Sequence, residues 1–321
     1  MPCYIELHAH LDGSVTPTVA AALAKMQGIV LPEGIENRLR VSESCADLNE
    51  FLRCFSLPLS LLQTEEALSE AVVLVLSEFQ NDGVIYAELR FAPQLHTERG
   101  LSQEAVIRAA LHGLSRAPIP ANLILCAMRG KDARENEETL RLTEKFAVSD
   151  GGVVAFDLAG AEALFPTRDY RSLLEKAHAL SLPFTVHAGE AGSAEDVKIA
   201  VEAGASRIGH GVRMASDPSV CELVREKGVF PELCPTGNFL THACDRASYP
   251  LIPFLEQGIR ATLNTDDPAI ANTTLSREFA LAETEFGLTA AQKKTLLFNA
   301  ADAAFASPET KKRLRAAVLQ G

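Results

Sequence analysis

Two hydrophobic periods alternate along this chain. Short runs rich in β-branched and aromatic residues, such as Val84–Phe91 and Val153–Leu158, each give way to a polar turn and then to apolar residues at helical spacing. Strand, turn and helix repeated in that order predict a parallel sheet, because parallel neighbours need a crossover and the helix supplies it. Eight strands are predicted, at 3–8, 84–91, 122–128, 153–158, 183–187, 206–210, 229–234 and 259–264. Eight is the number that closes a (β/α)8 TIM barrel, whose usual size is about 250 residues plus insertions. The 321 residues contain no low-complexity linker and no sharp shift in composition, so residues 1–321 are read as a single α/β domain.

The predicted helices carry their own punctuation. One runs from Glu65 to Gln80, with Glu65 and Glu66 in its first turn and Gly83 beyond its end. Acids suit the positive end of the helix dipole, and glycine suits the stop. Another starts at Ser193 with Asp196 three residues on, the spacing of a capping box, and ends before Gly204. A third spans Pro218 to Gly228 and a fourth lies near 250–257, ahead of Gly258. The interval between the first two strands, 9–83, is long enough for additional helices. It places Leu48, Phe51, Leu52, Phe55, Leu57, Leu59 and Leu62 at helical spacing. Most of these are read as a buried helix face; the functional alternative is an apolar lid over a pocket. The tail after 276 reads as further helices closing the barrel.

Composition narrows the partners. A formal net charge of -12 argues against nucleic acid or an anionic membrane as ligand. No apolar run reaches membrane-spanning length, and the first residues lack the pattern of a secretory leader. Seven cysteines with no CxxC pair indicate neither a disulfide framework nor a cysteine metal site, and the cytoplasm is the expected compartment. The oligomeric state is left open.

Four polar clusters fall at the C-terminal ends of predicted strands: His8-Ala9-His10-Leu11-Asp12-Gly13, His187-Ala188-Gly189-Glu190, Gly209-His210-Gly211 and Asn264-Thr265-Asp266-Asp267-Pro268. Barrel active sites lie on that face. Singly, each has an ordinary structural reading: a stray HxH, a satisfied core histidine, an Asp-Asp-Pro turn. Jointly they supply imidazoles and carboxylate in a set suited to Zn²⁺. One zinc-enzyme pattern, that of the nucleobase deaminases with a PCxxC pair, is excluded, because here Cys234-Pro235 stands in the reverse order. Binuclear barrel hydrolases commonly use a lysine at the end of the fourth strand, where this chain has Phe156-Asp157-Leu158-Ala159-Gly160. One metal per chain is therefore expected.

These pieces, with LNEFLRCF at 48–55, YAELRFAP at 86–93, DLAG at 157–160, IGHGV at 208–212, CPTGN at 234–238 and LNTDDP at 263–268, resemble the adenosine deaminase family in content and order. The resemblance implies a zinc-dependent aminohydrolase acting on a purine nucleoside, adenosine and with it 2'-deoxyadenosine. It implies zinc ligands His8, His10, His187 and Asp266. Glu190 would protonate purine N1, and His210 would orient or deprotonate the attacking water. Asp267 would meet N7 as a protonated donor, the Gly160 backbone would meet N3, and Asp12 would reach the ribose.

Alternatives keep part of this reading. Adenine or a modified adenine nucleoside could be the substrate, although family members acting on the free base tend to have HxHLEG where this chain has HAHLDG. A nucleotide would call for a basic cluster, and Arg213 alone is not one. A catalytically inactive nucleoside binder would have no use for Glu190. One departure stands out: Gly237 occupies a position that is often serine, which is expected to alter contacts on the sugar side near the entrance.

Overall fold

In the computed structural model, which describes residues 3–42, 45 and 51–320, the alternation folds as eight parallel strands. They are β1 (Tyr4–His10), β2 (Val84–Phe91), β3 (Ala121–Met128), β4 (Val153–Ala159), β5 (Thr185–Ala188), β6 (Arg207–His210), β7 (Phe230–Leu233) and β8 (Thr262–Leu263). Leu48 lies outside the described residues. Strands pair in chain order, β1 to β4 and β5 to β8. Parallel bridges Phe156–Phe184 and Ala9–Asp266 join the two halves into a closed (β/α)8 barrel. At the second seam the Asp266 N–H donates to the His8 carbonyl and the His10 N–H to the Asp266 carbonyl, both at 2.8 Å.

Most strand boundaries shift by one or two residues from the sequence pattern, and β8 by more; two of these shifts have a visible cause. β1 continues through His10, because its ladder with β2 extends to the pair His10–Arg90. β8 keeps only two residues of the span 259–264. Before it, Ile259 still closes the preceding helix by donating to the Phe254 carbonyl. After it, the chain crosses from β7, where Asn264 donates to Leu233, to β1 at Asp266. The helix punctuation holds: Ser193 and Asp196 form the capping box, and Pro218–Lys227 ends at Gly228 in the left-handed region at φ 66°. The tail forms Leu275–Glu285, Ala290–Ala303 and Pro308–Gln320. No helix among the described residues is long and apolar enough to cross a membrane.

The barrel interior is charged. Parallel strands covered on both faces are usually apolar throughout, yet Glu88, Arg90, Asp157, Arg207 and Glu232 are fully buried here. Arg207 pairs with Glu88 at 2.6 Å and with Glu232. Arg90 pairs with Glu232 at 2.8 Å and Asp157 at 3.0 Å. Both guanidiniums also donate to the Leu7 carbonyl, which becomes available where the β1–β2 register slips between Glu6 and Ala9. Three carboxylates thus face two arginines, leaving negative charge to be met from above. Arg90→Met should lower unfolding free energy by about 3–5 kcal/mol, because a buried carboxylate without its partner is costly. Urea denaturation of the variant measures it.

Candidate active site

The charged layer supports a cluster at the C-terminal mouth. His8 and His10 share one side of β1, as period two requires; His187 lies on β5, and Asp266 follows β8. One donor atom from each lies within 4.8 Å of the others. The His187 Nε2 is 3.1 Å from the Nε2 atoms of both His8 and His10, and Asp266 Oδ1 is 3.1 Å from His8 Nε2.

Which nitrogen carries the proton follows from the layer below. His8 Nδ1 stands 2.6 Å from Glu232 Oε2, and His187 Nδ1 3.2 Å from Asp157 Oδ1. A carboxylate only accepts, so both Nδ1 atoms donate and both Nε2 atoms present lone pairs. Burial, joined by the Arg90 charge, pushes the His8 pKa below its usual value, and burial takes His187 to about 3, so both rings are neutral. Two lone pairs facing each other at 3.1 Å repel unless a cation lies between them. Metal–nitrogen bonds of about 2.0–2.1 Å in a tetrahedron put ligand atoms roughly 3.3 Å apart, close to this spacing. The donors thus fit a divalent metal of borderline softness, with Glu232 and Asp157 orienting its ligands.

Two site residues have strained backbone. His210, the last residue of β6, and Asp266 both have φ 63°, uncommon for non-glycine residues. Gly13 is required for a different reason. A Cβ on it would come within 1.7 Å of Asp267 Oδ1, so the glycine admits that carboxyl into the mouth.

A cavity of about 240 Å³ opens above the cluster. His10, His187, His210, Glu190 and Asp266 line it, together with Asp12, Gly160 and Asp267. The chain therefore brings all of the sequence-derived candidates except His8 to one cavity wall, with His8 fully buried behind them. Phe51, Leu52, Phe55 and Leu59 form its apolar side, whereas Leu62 is buried in the main core and Leu57 packs against that core. Phe51 is both pocket wall and buried face, since it is also buried against Cys45 and Ile270; for Leu52, Phe55 and Leu59, which are only partly buried, the pocket wall takes the place of the buried helix face.

Glu190 is buried, and its Oε1 accepts a 2.9 Å hydrogen bond from the Thr241 hydroxyl. Burial raises its pKa, with the Asp266 charge adding to the rise. Asp267 is raised well above the usual carboxylic range by burial and by the charges of Asp266 and Asp12. Its Oδ1 is buried without a hydrogen-bond partner, as a group awaiting a ligand would be. Asp12 accepts from the Gly13 N–H at 3.2 Å and also faces the cavity, so turn capping and ligand access coexist there. His210 Nδ1 is 3.0 Å from Asn238 Nδ2, and Asn238 Oδ1 accepts from Tyr249 at 3.0 Å. That chain aims the amide N–H at His210 Nδ1 and leaves the ring's proton on Nε2, toward Glu190.

Gly237 lies against the metal cluster: a Cβ there would meet Asp266 Oδ2 at 3.3 Å. Asp157, Glu232, Thr241 and Asn238 were not singled out from sequence. The available signal was a lone acid inside an otherwise apolar strand, as in Val153–Ala159 and Phe230–Leu233.

Comparison with known proteins bears on this geometry. A family model described as Adenosine deaminase matches residues 3–320. The chain belongs to the adenosine deaminase family. It is 45% identical over 328 residues to an adenosine deaminase of Haemophilus ducreyi, covering 98% of this chain and 95% of that one. Identity to an adenosine deaminase of Enterococcus faecalis is 41%, over 97% and 94% of the two chains. Among solved structures, the adenine deaminase of Arthrobacter aurescens superposes with a TM-score of 0.89 at 26% identity, covering 100% of this chain and 99% of that one. The N6-methyl-AMP deaminase of Arabidopsis thaliana follows at 0.86 and 25%, over 99% and 96%. As a member of the adenosine deaminase family, the protein is a hydrolytic enzyme.

Proposed function

We propose that this enzyme hydrolyses adenosine and 2'-deoxyadenosine to the corresponding inosines and ammonia, at one zinc ion held by His8, His10, His187 and Asp266. The observation that carries the reading is the convergence of imidazole lone pairs and a carboxylate beneath a buried carboxylic acid, Glu190, in a cavity with an apolar wall. Zinc bound there would supply Lewis acidity, lowering the pKa of a bound water to about 7.

The protein's own groups do the rest. Glu190, kept protonated by burial, donates to purine N1 and draws electron density from C6. The His210 Nε2–H holds the attacking water by its oxygen. The Asn238 bond occupies Nδ1, which favours orienting that water over deprotonating it. Protonated Asp267 donates to N7, an acceptor only, and the Gly160 backbone, in the left-handed region at φ 101°, meets N3. Water adds to C6 through its oxygen; one of its protons passes to the former amino group, which leaves as ammonia, and the other returns to the Glu190 carboxylate as C6–O becomes a carbonyl, so N1 retains the proton that Glu190 gave.

Adenosine is favoured over the alternatives on two grounds. The relatives at 45% and 41% identity are named adenosine deaminases, whereas the adenine and N6-methyl-AMP enzymes are 26% and 25% identical. No lysine or arginine is among the described residues lining the cavity, so a phosphate would find no cation. Asp12 accepts from the nucleoside 5'-hydroxyl in this reading. A hydrogen bond to a charged group is worth about 1.5–3 kcal/mol, so Asp12→Ala should lower kcat/KM for adenosine roughly 10–150-fold. The same change should leave 5'-deoxyadenosine nearly unaffected. The test of the assignment is kcat/KM for adenosine, 2'-deoxyadenosine, adenine and AMP, followed by ammonia release. The nucleosides should lead; preference for adenine or AMP would overturn the substrate.

A further inference from the structure

We propose that Glu162 is a positioning residue for the catalytic acid, acting on the backbone of the loop that carries Glu190; this rests on the proton-donor role given to Glu190 above. Glu162 lies in the loop after β4 and is 2% exposed. Its Oε1 accepts the Gly189 N–H at 2.7 Å. Its Oε2 accepts the N–H groups of Glu190, Ala191 and Gly192 at 3.0, 2.9 and 2.8 Å. Four consecutive amides thus converge on one carboxylate. A turn that aims successive amides to one side makes an anion-binding concavity, and here the occupant is a side chain of the protein.

The local sequence is built around this contact. Gly189 adopts φ 69°, which turns the chain immediately after β5. A Cβ on Gly192 would sit 2.5 Å from Glu162 Oε1 and 2.6 Å from its carboxyl carbon. Glycine at 192 is what lets the carboxylate approach. Arg129 ties the same two loops together beneath, donating to the Phe165 and His187 carbonyls at 2.7 and 2.6 Å.

The division of labour is specific. The imidazole of His187 is held independently, by Asp157 below and by the pairing of His187 with Gly209 across β5–β6. Glu190 is one residue past Gly189 and has no strand ladder to fix it. Its carboxyl is steered by Thr241 at one end, and its main chain by Glu162 at the other. Loss of Glu162 should therefore displace the acid while the metal ligands stay.

In Glu162→Gln only one terminal atom can still accept: with its carbonyl oxygen at the Oε2 position the NH2 group faces the Gly189 N–H and that bond is lost, and the negative charge that drew all four amides together is removed with little change in volume. Displacements near 1 Å cost about 10²-fold, so kcat for adenosine should fall roughly 10–100-fold. KM should stay within about threefold, and metal content should remain at one per chain. Glu162→Ala leaves the amide concavity open, and added formate should restore part of its kcat; formate should do nothing for Glu162→Gln, whose side chain fills the space. Gly192→Ala keeps every polar group but crowds the carboxylate, and should reproduce the kcat loss. The decisive arm is a double-mutant cycle. Glu190→Gln alone reports whether Glu190 is the acid, and near-normal turnover there would remove the premise. In the Glu190→Gln background, Glu162→Gln should change kcat by less than about twofold, because the group being positioned no longer delivers a proton. Equal losses in both backgrounds, undiminished kcat in Glu162→Gln, or loss of metal together with kcat would each overturn the proposal.

Discussion

Glu190→Gln is expected to keep its metal and its affinity for inosine while turning adenosine over about 10²–10⁴-fold more slowly, the usual worth of general acid catalysis. The amide is nearly isosteric, and its carbonyl can still accept the 2.9 Å hydrogen bond from Thr241, so the fold has no reason to change. What is lost is a deliverable proton at N1. The pH dependence gives a second reading of the same variant. Burial raises the Glu190 pKa, so its acid form persists above the ordinary carboxylic range and is lost as pH rises through the raised value. The wild-type profile should fall on that limb, and the limb should vanish in the variant. Steady-state kinetics across pH, with metal analysis of the same preparations, tests both. A variant with near-normal kcat would remove Glu190 from the role.

His187→Ala is expected to remove metal and activity together. His187 Nε2 is the atom shared by the 3.1 Å contacts to His8 and His10, so its loss takes out the centre of the donor set. It also strips Asp157 of a partner at full burial. Burial opposes ionisation of Asp157, but His187 and Arg90 outweigh it and hold the carboxyl well below its usual range. The variant should therefore be less stable as well as inactive. Asp157→Asn should be milder, since His187 keeps its coordinating nitrogen and loses only its orienting acceptor; such partners change metal affinity or activity by about 10–100-fold. Metal per chain after dialysis, measured beside adenosine turnover, separates the two variants.

The parts of the site visible from sequence obey local rules. His8 and His10 fall on one side of β1 because a strand has period two, and the other clusters sit at strand ends because a barrel collects them there. The residues that orient those ligands escape such rules. His8 and Glu232 are separated by 224 positions, and His187 and Asp157 by 30. Nothing within a window around either partner marks them as a pair. The contraction of β8 to Thr262–Leu263 has a similar origin, since the chain leaves the β7 ladder to close onto β1. The nearness of Gly237 to Asp266 escapes sequence reading in the same way, because the two come from different strand ends. The helix of apolar residues after Phe51 was ambiguous in sequence because a pocket wall and a buried face share one period; only the barrel beneath distinguishes them.

A single zinc held by His8, His10, His187 and Asp266 for adenosine hydrolysis is tested by stripping metal with a chelator and titrating zinc back while following ammonia release from adenosine. The stripped protein should have negligible activity, and activity should rise linearly and break at one zinc per chain. Full turnover without metal, or a break at two, would rule out the single-zinc site.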